Sequence, residues 1–273
     1  MKLALIGYGT IARIVLETLG REAPGSLDTL VLVSQPQGME RARRMLAQLG
    51  ATLGAPLARQ TIVVTDIDDA LAADPDVIAE AAGHGALQEF GARVLAAGVP
   101  LIVTSVGALA DDALRACLDV AASESGTNYS LITGAVGGLD ILGAVQLSGL
   151  NSVLYNSRKP PAAWRGSPAE SLCELDAITH ETVFFTGNAA EAAQMFPQNA
   201  NVAATIALKG AGFADTRVNL IADPNVSRNV HELIVSGKSA DFAIRIEGWP
   251  APDNPKTSLT TAYSLAQTIL ARM

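Results

Sequence analysis

The chain opens Met1-Lys2-Leu3-Ala4-Leu5-Ile6-Gly7-Tyr8-Gly9-Thr10-Ile11-Ala12. Leu3 to Ile6 is an apolar run that reads as a buried strand. It meets Gly7-x-Gly9-x-x-Ala12 with no residue to spare. Ile11, Ile14, Val15 and Leu19 then recur at helical spacing. Strand, glycine turn and helix in that order give the pattern G-x-G-x-x-G/A its meaning. The first glycine permits the tight turn. The second lets the backbone approach a pyrophosphate, and the small third residue lets helix and strand pack. Free N–H groups at the helix start then face the phosphates, where the dipole favours an anion. Gly7, Tyr8, Gly9, Thr10, Ile11 and Ala12 are therefore the candidate dinucleotide-binding turn. An ordinary glycine turn in an α/β core is the plainer alternative.

Downstream, strand and helix patterns alternate. Leu30–Val33 reads as a second strand and Met39–Leu49 as the helix after it. Thr61–Val64 is a third strand, and Asp66–Leu71 opens a short helix with acids near its N-terminus. Asp76–Ala82 is a fourth strand ending in Gly83-His84-Gly85, followed by a helix from about Leu87 to Ala97 and a fifth strand, Pro100–Thr104. This rhythm predicts an α/β fold: an N-terminal Rossmann domain with a doubly wound parallel sheet that binds ligands at its strands' carboxyl ends.

The second half changes character. Asn151–Asn156, Glu181–Thr186, Arg217–Ala222, Val230–Val235 and Asp241–Ile246 look like strands of a second, mixed sheet. Helical patterns at Ala189–Met195 and Asn199–Lys209 intervene, which makes this an α+β domain. The expected division is a dinucleotide-binding domain over 1–125 and a substrate, catalytic and dimerisation domain over 126–257. The last helix, 258–273, would return to the first domain.

Composition narrows the class. The 273 residues are 49% hydrophobic and 17% charged, a well-buried globular composition rather than a disordered one. Aromatics are only 4%, so an aliphatic core of helices on a parallel sheet is expected. A formal charge of −8 argues against nucleic acid or an anionic membrane as a partner. Cys117 and Cys173 form no metal or disulfide pattern. Leu131–Leu150 is apolar, but Asp140 and several glycines interrupt it, which favours a buried segment over a membrane span. One lysine and a short apolar run broken at Gly7 do not make a signal peptide, so a cytoplasmic location is expected.

An Asp or Glu about 20 residues past the glycines usually binds the ribose 2′-hydroxyl of NAD. Here the second strand ends Val33-Ser34-Gln35, with Arg41, Arg43 and Arg44 close behind. Ser34 with arginines nearby would tolerate a 2′-phosphate, and the same arginines fit a solvated helix face equally well. The cofactor expectation is NAD or NADP. The nicotinamide would lie near Ala81, Ala82 and Gly83.

Three histidines are present. His84 follows the fourth strand, where it would line the cofactor cleft. His180 reads as surface. His231 interrupts an otherwise apolar strand, a setting typical of a satisfied core residue, although an imidazole near neutrality suits proton transfer. No Ser-His-Asp order, HExxH or CxxC supports a hydrolase or a metal site.

The chain resembles the L-aspartate dehydrogenase family nearly end to end. Beyond the glycine turn, the resemblance rests on Gly134-Ala135-Val136-Gly137-Gly138-Leu139-Asp140, Arg158-Lys159-Pro160-Pro161-Ala162-Ala163-Trp164-Arg165-Gly166 and Phe196-Pro197-Gln198-Asn199-Ala200-Asn201-Val202-Ala203-Ala204-Thr205. It also rests on Leu220-Ile221-Ala222-Asp223-Pro224, Asn229-Val230-His231-Glu232 and Asn254-Pro255-Lys256-Thr257-Ser258. The resemblance implies oxidation of L-aspartate to iminosuccinate with NAD or NADP, reversible as reductive amination of oxaloacetate with ammonia, and feeding NAD biosynthesis or aspartate metabolism. It implies that His231 is the active-site histidine, that Ala135 and Asn201 contact the nicotinamide end, and that Asn254–Ser258 is a loop beside the substrate. Gly137, Gly138, Lys256, Thr257 and Ser258 would then bind the dianionic substrate. A turn with Thr257 or Ser258 capping the last helix is a compatible reading of that loop. A homodimer is the expected assembly. The rivals are another two-domain reductase of the homoserine dehydrogenase or dihydrodipicolinate reductase type, and a nucleotide sensor without turnover.

Overall fold

In the computed structural model every residue except Asp253 is described, and of Gln198, Pro255 and Lys256 only the backbone. Two compact units divide the chain. One comprises Met1–Ser105, Asp111–Ile132 and Thr261–Met273. The other comprises Val106–Ala110 and Thr133–Thr260.

The first unit is a six-stranded sheet of β1 (Lys2–Ile6), β2 (Thr29–Val33), β3 (Gln60–Val64), β4 (Val77–Glu80), β5 (Leu101–Val103) and β6 (Tyr129–Leu131). Its order is β3-β2-β1-β4-β5-β6, with every neighbouring pair parallel. This is the doubly wound order, which reverses between β1 and β4 and leaves a crevice at their carboxyl ends. Leu3, Ala4 and Leu5 are fully buried, as a strand covered on both faces requires. The terminal helix, Leu259–Leu270, adds Leu265, Ala266 and Ile269 to this core.

Two local features depart from the sequence pattern. β4 stops at Glu80 rather than Ala82, because the Ala82 and Gly83 N–H groups turn back to the Glu80 carboxyl at 2.7 and 2.8 Å. The helix Asp112–Ser125 and the three-residue β6 extend the sheet past residue 125. Asp111 caps that helix by accepting from the Ala113 and Leu114 N–H groups.

The second unit holds β7 (Leu150–Lys159), β8 (Thr182–Asn188), β9 (Thr216–Ala222), β10 (Asn229–Gly237) and β11 (Asp241–Gly248), in the order β11-β10-β7-β9-β8. β7 and β9 run parallel and the other pairs antiparallel. Alternation along the strands puts Val153, Tyr155, Ser157 and Lys159 of β7 on one buried face with His231, Leu233 and Val235 of β10. Helices Leu139–Ser148, Ala189–Met195 and Asn201–Lys209 contribute Leu142, Val145, Ala192 and Ile206 to the core under that face. The opposite face carries Arg158, Glu232 and Arg245, which are ion-paired.

The apolar stretch Leu131–Leu150 resolves into the end of β6, a turn and the ten-residue helix Leu139–Ser148. Among the described residues no helix is long and apolar enough to cross a membrane. The segment Asn254–Ser258, expected as a loop, is a short strand, β13, paired antiparallel with β12 (Pro250–Ala251).

Candidate active site

The glycine turn lies where the doubly wound order places a nucleotide. Gly7 adopts φ +105°, and a Cβ there would stand 2.8 Å from the Ala81 carbonyl oxygen. A side chain at Gly7 would thus break the close approach of β1 and β4. Gly9 differs: a Cβ built on it meets nothing within 4 Å. The fold does not use that space, and a ligand's phosphate can. Beside the turn is a cavity of about 670 Å³, with Gly7, Ser34, Gln35, Ala82, Gly83 and His84 among its lining residues. The volume and the open backbone fit a dinucleotide. Ser34 is nearly buried, with its Oγ donating to the Gln35 carbonyl at 3.2 Å.

Glu80 fixes the floor of this crevice. It is fully buried, and its carboxyl accepts from the Ala82, Gly83 and Ser105 N–H groups and from the Ser105 hydroxyl, all at 2.7–2.9 Å. Ala81 and Ala82 therefore sit on a turn held by four hydrogen bonds. The sequence reading did not single out Glu80, because a lone acid at a strand end does not reveal its partners.

In the second unit the sheet registers bring His231 opposite Ser157 on β7 and Ile246 on β11. Nδ1 of His231 is 2.7 Å from Tyr155 Oη, and Nε2 is 3.3 Å from Ser258 Oγ. Burial, and then the charge of the Lys159 ammonium, push the His231 pKa down to about 3. The imidazole is therefore neutral at pH 7, which corrects the expectation of a group poised near neutrality. Burial pushes the Tyr155 hydroxyl above its ordinary value, so it keeps its proton.

Lys159 is the cation of this cluster, and the sequence reading missed it. It is 4% exposed, donates to Asn199 Oδ1 at 2.7 Å and lies 4.8 Å above the Trp164 ring. The expected strand ended at Asn156, three residues short. Continued at period two, Tyr155, Ser157 and Lys159 share one face.

Other expected site residues are spread more widely. Ser258 joins His231, whereas Thr257 Oγ1 accepts from Asn254 Nδ2 at 3.0 Å. The Lys256 side chain lies outside the described residues. Gly137 and Gly138 pack on β11. A Cβ at 137 would come within 3.3 Å of Ile246 Cδ1, and one at 138 within 1.9 Å of Ile244 Cδ1. Gly137 thus packs on the residue paired with His231. Asn201 accepts from the Gly107 N–H at 2.8 Å and braces the turn Val106–Ala110, and Ala135 is buried in the turn before Gly137. His180 is exposed.

Comparison with known proteins separates the halves. The family described as "Aspartate dehydrogenase, C-terminal" matches residues 140–272, and that described as "Homoserine dehydrogenase, NAD binding domain" matches residues 7–131. L-aspartate dehydrogenase of Polaromonas sp. (strain JS666) is 42% identical over 272 residues, covering 100% of this chain and 97% of that one. The Pseudomonas aeruginosa (strain PAO1) enzyme of that name is 38% identical over 269 residues, covering 98% and 96%. Among solved structures, aspartate dehydrogenase of Thermotoga maritima aligns with a TM-score of 0.77 at 24% identity, covering 100% of this chain and 96% of that one. That likeness shows the shared fold. The nucleotide-binding half matches a family described by homoserine dehydrogenase, and the half carrying His231 and Lys159 matches one described by aspartate dehydrogenase. The chain belongs to the L-aspartate dehydrogenase family, as an oxidoreductase with a pyridine-nucleotide-binding domain.

Proposed function

We propose that this protein catalyses the NAD(P)-dependent oxidation of L-aspartate to iminosuccinate, reversible as reductive amination of oxaloacetate with ammonia. The observation that carries the proposal is a buried neutral imidazole, His231, beside a buried ammonium, Lys159, in a chain of this family. Entry of the product into NAD biosynthesis or aspartate metabolism, a cytoplasmic location and a homodimer belong to the same proposal and rest on the family resemblance. A bound nicotinamide would supply the acceptor for the hydride lost from C2 of aspartate.

The protein's own groups bind, orient and move a proton. Gly7 to Ala12 receive the pyrophosphate, Ser34 faces the adenosine ribose, and the turn Ala81–Ala82 supports the nicotinamide end. Lys159 pairs with a substrate carboxylate and gives up its partnership with Asn199. Ser258 and the backbone at Gly137 and Gly138 are further donors for the dianion, and Ala135 and Asn201 line the nicotinamide side. Thr257 and Lys256 belong to the same substrate segment.

His231 is the proton acceptor. With Nδ1–H donating to Tyr155 Oη, the Nε2 lone pair accepts from the Ser258 hydroxyl, and it takes a proton from the substrate ammonium once that hydroxyl turns to the substrate. One proton leaves nitrogen and one hydride leaves C2, so the C–N bond becomes an iminium. A pKa of about 3 makes a weak base. The substrate corrects this, because two carboxylates beside the ring offset Lys159 and favour the imidazolium. The acid limb of kcat should then lie at higher pH than that of kcat/KM, which reports the free enzyme.

Steady-state turnover tests the proposal. L-aspartate with NAD or NADP should reduce the cofactor, and oxaloacetate with ammonia should oxidise it. Turnover of homoserine in place of aspartate, or tight cofactor binding without turnover of either, would replace this proposal with one of its rivals.

A further inference from the structure

A second cavity, of about 350 Å³, lies at the glycine turn, and Tyr8, Gly9, Thr10, Arg13, Arg41 and Arg44 are on its wall. Three arginines thus line one small concavity in a chain whose formal charge is −8. Arg41 and Arg44 are one turn apart on the helix Met39–Leu53, so they share a face. Arg43, between them, points elsewhere and ion-pairs with Glu40 at 2.8 Å. Arg13, from the helix Thr10–Glu22, also lies 3.8 Å from Glu17.

The cavity adjoins the larger one across the turn itself. Gly7 lines one, and Tyr8 and Gly9 line the other. Tyr8 lies against Gly38, where a Cβ would come within 2.2 Å of its hydroxyl oxygen. From Ser34, at the tip of β2, the chain passes through the turn Pro36–Gly38 directly into the helix that carries Arg41 in its first turn. The residues at that tip, Ser34-Gln35-Pro36-Gln37, include no carboxylate to accept from a ribose 2′-hydroxyl. In this fold the tip of β2 meets the adenosine ribose, and a nearby Arg accommodates a 2′-phosphate.

We propose that Arg41 and Arg44, with Arg13 opposite, form the subsite for the 2′-phosphate of NADP, and that the protein prefers NADP over NAD. This rests on the dinucleotide-binding part of the function proposed above. Guanidinium groups suit a phosphate monoester because they donate in a planar fork and stay charged. The pyrophosphate stays with the backbone of the turn, so these arginines discriminate between the two cofactors rather than hold either one in general.

The test measures dissociation constants of NADPH, NADH and 2′-AMP for the wild type, the double variant Arg41→Ala/Arg44→Ala and the control Arg43→Ala. All three side chains are exposed, and circular dichroism checks that each variant folds. The loss of one charge-assisted contact costs roughly tenfold or more. The wild type should favour NADPH, and the double variant should lose about a hundredfold for NADPH. The double variant should also lose 2′-AMP while NADH binding holds, and Arg43→Ala should match the wild type. Equal loss of NADPH and NADH would assign the arginines to the pyrophosphate and overturn the inference. So would a wild type that binds NADH as tightly as NADPH. A wild type that binds neither dinucleotide would instead remove the function proposed above.

Discussion

The buried neutral state of His231 makes the stability of the fold depend on pH. In the folded chain its pKa is pushed down to about 3, against an ordinary value of 6.5. Between those values the unfolded chain binds a proton that the folded chain does not, so stability rises with pH. The contribution is complete above pH 6.5 and is lost as pH falls toward 3, at about 1.4 kcal/mol per unit. From pH 7 to pH 5 the loss comes to about 2 kcal/mol. In His231→Asn this dependence disappears while every other titrating group remains. Urea unfolding of both proteins at the two pH values isolates it. Both tryptophans, Trp164 and Trp249, lie in the unit that holds His231, and Trp164 is fully buried, so their fluorescence reports on that unit. The wild type should lose about 2 kcal/mol more than the variant on acidification. Equal losses would mean that the folded imidazole titrates near its ordinary value, and the account of its burial would fail.

Three further outcomes are expected. Gly9→Val should fold, since a side chain there meets open space, but calorimetric titration should show NADH and NADPH binding weakened by well over tenfold, as expected when a side chain fills the space a phosphate needs. An unchanged Kd would mean the turn is wrongly assigned. Lys159→Met should raise the KM for aspartate by roughly tenfold or more through the lost charged contact, and NMR should show the His231 pKa rising once its cationic neighbour is gone. Ser34→Asp should lower the ratio of NADP to NAD use in steady-state kinetics, because a carboxylate accepts from a ribose hydroxyl and repels a phosphate.

The first sheet was legible because its strands are continuous apolar runs punctuated by glycine and acid, and Gly7 follows β1 directly. β6 was not: it has three residues, and none of them is fully buried. The second sheet showed in outline, but β7 was cut at Asn156, since Asn156 and Arg158 interrupt the apolar pattern from the polar face. That cut hid Lys159. His231 stood out as the lone histidine on an apolar strand. Its partners Tyr155 and Ser258 are 76 and 27 residues away, a pairing that only the sheet register and β13 create. Arg41, Arg43 and Arg44 are alike in sequence, and only the turn of the helix separates the two that face the cavity from the one that pairs with Glu40.

The most direct test of the account is to compare His231→Asn with the wild type on one preparation, measuring kcat for aspartate oxidation, cofactor Kd and melting temperature. Loss of a general base lowers turnover by roughly 10²–10⁴-fold. The account predicts that loss in kcat with cofactor Kd nearly unchanged, because the glycine turn and the Ser34 region belong to the other compact unit. Near-normal turnover in a variant whose melting temperature has dropped would contradict it, and would make His231 a satisfied core residue.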